Sequence, residues 1–218
     1  MLVINYNLGE NSRTIIADEV FSPILPMSYV SLLSEEEKLN PLPLIHEFFH
    51  YDYPLPKTRD FLNVIFLKAS VGRKILDEKS IVKLAGFTKN FKKLLEASFW
   101  VVKKEYPTTK VKTIKKDNLI PKYILGKSRK IKNIHTYLPF SPDPSDSLDP
   151  IYNIKLMLVE NSLEELIVYF EAAYHHAISG TRGSSDFYQD LLLNLMTINM
   201  VLDSAHLIYV RTYQAVEY

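Results

Sequence analysis

Two histidines near residue 50 have the spacing of a common zinc-binding motif. The segment PLIHEFFHYDYP carries His46, Glu47 and His50 in the order His-Glu-x-x-His. On a helix, histidines four residues apart share one face and can reach the same zinc ion, while the glutamate can activate a water molecule. His46 and His50 are therefore candidate metal ligands and, with Glu47, candidate catalytic residues. The alternative is a short helix whose histidines bind nothing.

A zinc site of this kind needs a third protein ligand from elsewhere in the chain. Asp52, Glu78 and Glu96 are candidates, although none lies in a recognisable pattern. The helix is also bounded by prolines, because Pro43 fits its first turn and Pro54 prevents its continuation. A zinc-dependent hydrolase is one function that these residues allow.

A second group of reactive side chains lies in the last third of the chain. Glu171 and His175 are four residues apart and share a helix face, and Asp203 and His206, three apart, share a face of the last helix. Inside an apolar bundle, a polar group without a partner costs about 1–3 kcal/mol. Each acid could simply orient its histidine. Alternatively, the pairs could form a metal or haem ligand with its supporting carboxylate, or a proton relay.

These patterns give two sets of candidate ligands. The candidate metal ligands are His46, His50, Glu171, His175, Asp203 and His206. The candidate cofactor ligands are His175, His176 and His206.

Residues 172–192, AAYHHAISGTRGSSDFYQDLL, carry a resemblance to a known family. The segment resembles the C-terminal part of the tryptophan and indoleamine dioxygenase superfamily, all-helical haem proteins that act on aromatic substrates. The resemblance implies that His175 or His176 is the axial haem ligand. It also implies three substrate-binding residues, Thr181, Arg182 and Ser184, with Arg182 in place of a family glycine. Without the resemblance, the same loop is a glycine helix C-cap, a turn and a serine N-cap.

Hydrophobic periodicity predicts which elements position these residues. From Ser80 to Glu105, apolar residues recur at helical spacing and lysines fill the other face. Capping-box spacing predicts helix starts at Ser34 and Ser162. The helix from Asp186 is apolar around nearly its whole circumference, which is typical of a central helix. The predicted fold is mainly α, a multi-helix bundle with a minor β component and a central apolar C-terminal helix.

The minor β component rests on RTIIADEV, which alternates weakly as a short strand does. Residues 1–218 are predicted to form a single domain, with a possible internal boundary in the proline-rich connector 139–150.

Composition excludes several classes of site. The chain has no cysteine, so disulfides and thiolate sites are excluded. Its 14 Tyr and 11 Phe predict an aromatic-lined interior or pocket.

The N-terminus lacks the pattern of a signal peptide, which makes the cytoplasm the expected location. The most apolar segment, 191–210, carries Asn194, Asn199 and Asp203, which favours a buried helix over a membrane span.

Positive charge is concentrated in residues 103–132. This segment holds eleven Lys and Arg, with Glu105 and Asp117 as its only acids. A basic stripe can attract nucleic acid or an acidic partner, although a solvated loop has the same composition. A non-enzymatic interaction module is therefore a further alternative.

The favoured hypothesis is a haem- or metal-dependent oxidoreductase acting on a small aromatic molecule. An all-helical, aromatic-rich chain with histidines on apolar helices suits haem or iron as the cofactor, with zinc as the alternative. In this hypothesis His46 or His50 lies across the pocket from the axial ligand.

Overall fold

The structure is a computed structural model, and it describes residues 3–6, 13–16, 30–72, 76–104, 149–160, 162–181 and 185–214. The described helices are α1 (Glu35–Leu39), α2 (Leu42–Glu47), α3 (Leu55–Val71), α4 (Glu78–Lys103), α5 (Pro150–Glu160), α6 (Leu163–Ser179) and α7 (Ser185–Tyr209). One π-helical turn, Phe48–Asp52, continues α2, and another, Val210–Gln214, continues α7. The prediction of a mainly α fold is confirmed.

Two short strands precede the helices. β1 (Val3–Tyr6) and β2 (Arg13–Ile16) pair antiparallel, with Val3 opposite Ile16. They pair only with each other, and the described residues from 30 onward contain no strand. A β component of the fold therefore stays a prediction.

Local capping signals set where several helices begin and end. The Ser34 hydroxyl accepts a hydrogen bond from the backbone of Glu37, and Ser162 does the same for Glu165, so both predicted capping boxes are confirmed. α6 ends at Gly180, whose φ of 67° lies in the left-handed region that glycine adopts without strain. The glycine C-cap predicted for this loop is therefore present.

The second half of α7 forms the centre of the helical body. α7 packs against α2, α3, α4, α5 and α6, and every residue from Val201 to Arg211 is buried. The prediction of a central helix is correct for this half. In the first half, Leu192, Leu193 and Met196 are each 65% exposed, so this part of the helix is not enclosed on all sides by the described residues.

α7 also meets the length and composition of a membrane span. Within Gln189–Thr212, an 18-residue window has a mean hydropathy of 1.5, and 67% of that window is buried inside the protein. A core helix that other helices enclose has the same apolar composition. The burial of this helix inside the protein is therefore sufficient to explain why its sequence is so apolar.

A chain of aromatic rings fills the space between α3, α4 and α6. Phe87 stacks on Phe61 and Phe91, with ring centroids 4.8 and 5.3 Å apart. Phe91 also contacts Phe170 of α6 at 5.0 Å and Phe48 of the first π turn at 6.2 Å. Phe91 thus joins three elements that are distant in sequence, and the predicted aromatic interior is present.

The proposed domain boundary cannot be placed in this fold. Of the connector 139–150, residues 139–148 lie outside the described residues, and of the basic segment 103–132 only Lys103 and Lys104 are described. α4 and α5, which flank both segments, pack against each other. The single-domain prediction stays a prediction.

Replacing Phe91 by Ala should destabilise the protein by about 3–5 kcal/mol, because it removes a buried ring and leaves a cavity at the junction of three elements. Denaturant unfolding measures the change. The control is Leu67→Ala, which removes a side chain that is 63% exposed and should change stability by less than about 0.5 kcal/mol. Equal effects of the two substitutions would show that Phe91 does not hold the core together.

Candidate functional site

The two histidines of the His-Glu-x-x-His motif meet the end of the central helix. His46 of α2 and His50 of the π turn stack on each other, with ring centroids 4.8 Å apart and planes 17° apart. The His46 ring also lies 5.7 Å from that of Tyr209, and His50 Nδ1 is 3.2 Å from the Tyr209 hydroxyl. We call His46, His50, His206 and Tyr209 the histidine–tyrosine cluster.

His206 is the buried histidine of this cluster. Its ring contacts Phe49 at 5.0 Å and Tyr209 at 5.9 Å, between centroids, and the residue is only 4% exposed. Burial, with a smaller contribution from the positive charge of Arg59, lowers the pKa of His206 from 6.5 to about 3. Within the part of the chain that the structure describes, we find no hydrogen bond to its ring nitrogens. His206 is therefore a neutral imidazole in an aromatic environment.

The π turn explains the stacking of His46 and His50. The backbone N–H of Tyr53 donates to the carbonyl of Phe48, five residues back, over 2.7 Å. A π turn holds more residues than an α turn, so side chains four residues apart come closer to lying directly above one another. The sequence correctly predicted that the two histidines share a face.

The stacked arrangement differs from a zinc-hydrolase site. A zinc ion lies about 2 Å from its ligand nitrogen and in the plane of the ring, whereas two stacked rings direct their lone pairs side by side. Glu47 does not join the histidines, because it lines a separate cleft with Asp52. Among the described residues, no group of three or more His, Asp or Glu side chains is placed to hold a metal ion.

Glu96, a candidate third zinc ligand, has a structural role. It is completely buried on α4 and accepts hydrogen bonds from the Ser31 hydroxyl and from the backbone N–H of Leu32, the latter over 2.8 Å. These bonds attach the segment before α1 to α4. The carboxylate oxygens of Glu96 therefore accept hydrogen bonds from within the protein.

The carboxylate–histidine pairs predicted near the C-terminus are wrong. Asp203 accepts a hydrogen bond from Arg59 over 2.6 Å, in an ion pair whose side chains are 7% and 9% exposed. Glu171 forms an ion pair with Lys92 of α4. Each acid is thus matched with a cation from another helix, since a charge removed from water needs an opposite charge.

His175 and His176 lie on α6, where each contacts a side chain close to it in sequence. His175 is exposed, and its ring contacts Tyr174 at 5.5 Å. His176 Nδ1 lies 2.9 Å from the hydroxyl of Thr181, which is exposed at the end of α6. Thr181 therefore packs with the helix end, and Arg182 and Ser184 lie outside the described residues. Of the three predicted cofactor ligands, His206 alone belongs to the cluster.

Two residues of this region were not predicted from the sequence. Tyr209 lies in the apolar segment 191–210, and a tyrosine at a buried helix end places its hydroxyl near a partner. Arg59 lies within a largely apolar run of α3. It lies four residues after Leu55 and three before Leu62, both buried. This spacing indicates that Arg59 shares the buried face of the helix.

Comparison with known proteins gives no further guide to function. No model of a protein family, no curated protein and no solved structure matches this chain. The resemblance of residues 172–192 to the dioxygenase superfamily consequently stays a prediction.

Asp203→Asn should destabilise the protein by about 3–5 kcal/mol, because it leaves the Arg59 guanidinium buried beside a neutral partner. Urea unfolding measures this change. The matched control is Glu171→Gln, which breaks the ion pair with Lys92 where the Glu171 side chain is 40% exposed. The control should cost at most about 1 kcal/mol. Similar costs for both substitutions would contradict the importance of the buried pair.

The stability of the protein should fall as the pH decreases from 6.5 to about 3. The folded state holds His206 neutral with a pKa of about 3, whereas in the unfolded chain this imidazole regains its usual pKa of 6.5. Protons therefore bind the unfolded chain first and favour unfolding.

The measurement compares the wild type with His206→Gln, which cannot titrate at this position, at pH 7.5 and pH 4. The wild type should lose more stability than the variant between these two conditions. An equal loss would show that His206 is not held neutral.

Proposed function

We propose that the protein is a haem-dependent oxidoreductase acting on a small aromatic molecule, with His206 as the protein ligand of the iron. One observation carries the proposal: the fold brings His46 and His50, from the first quarter of the chain, against Tyr209 beside His206. A haem protein can use one axial histidine, so this function does not require several ligands around one metal.

The chemical state of His206 fits this role. A metal binds the neutral imidazole through its lone pair, and a proton on the ring would compete. The lowered pKa of His206 keeps the ring unprotonated at neutral pH, and the described residues provide no hydrogen bond to it. Phe49 and Tyr209 pack against the ring, so a cofactor would have to displace one of them.

The other residues of the cluster have distinct chemical roles in this proposal. A bound haem would supply the electron and dioxygen chemistry. Tyr209 is 1% exposed, and its hydroxyl lies within reach of His50 Nδ1, so a proton can pass between the buried phenol and the more exposed imidazole. His50 is exposed to solvent and can exchange that proton with water.

Exposed rings beside the cluster support an aromatic substrate. Tyr51 is 71% exposed, and its ring meets that of His50 edge-on at 4.5 Å. It also lies 5.9 Å from His46. An aromatic molecule can pack against such rings in offset or edge-to-face geometry.

The purified protein, produced with iron and a haem precursor, should show a Soret band that disappears in His206→Ala. The control is His175→Ala, which removes the exposed histidine of α6 and should keep the band. Circular dichroism checks that both variants fold. If His206→Ala does not fold, His206→Gly with added imidazole tests the same ligand, because free imidazole should restore the band.

Three results would overturn the proposal. A protein that takes up no haem excludes it, and a band of equal strength in His206→Ala excludes His206 as the ligand. Stoichiometric zinc that is lost in His46→Ala and His50→Ala would instead favour the zinc-dependent hydrolase.

A further inference from the structure

We draw no further inference here: the strongest candidate, the exposed apolar patch that Leu192, Leu193 and Met196 form on the first half of α7, is an unpartnered helix face, and nothing in the described part of the structure shows what covers it.

Discussion

The structure depends on the complete enclosure of the second half of α7. Because every residue from Val201 to Arg211 is buried, the polar groups in this stretch have exchanged water for protein surroundings, which is costly without compensation. Asp203 obtains the guanidinium of Arg59, and the Tyr209 hydroxyl lies against His50. His206 instead remains neutral. The arrangement of polar groups around this helix thus follows from its burial.

Local elements were predictable because their signals lie within a few residues of one another. The capping serines Ser34 and Ser162 and the glycine C-cap at Gly180 depend only on neighbours in sequence, and the apolar periodicity of α4 reports which face is buried. The helix predicted from Ser80 to Glu105 spans Glu78–Lys103. In contrast, the partner of Asp203 lies 144 residues away, and periodicity carries no information about which helices adjoin.

The candidate site was predictable to the same limited extent. The shared face of His46 and His50 follows from their spacing, but their contact with Tyr209 follows from how α2 crosses the end of α7. The pairing of Glu171 with His175 failed because a lysine on a neighbouring helix, Lys92, competes for the carboxylate. Spacing on one helix shows which residues can meet, whereas tertiary packing decides which of them do.

The first π turn also has a consequence for how this chain can vary. It holds one residue more than an ordinary helical turn would need, so the deletion of one codon within 48–52 would restore regular α-helix. Such a deletion would shift the residues before it by one position relative to α3, which on an α-helix corresponds to a rotation of about 100°. Amino-acid replacements in this stretch are therefore a milder kind of change than any alteration of its length.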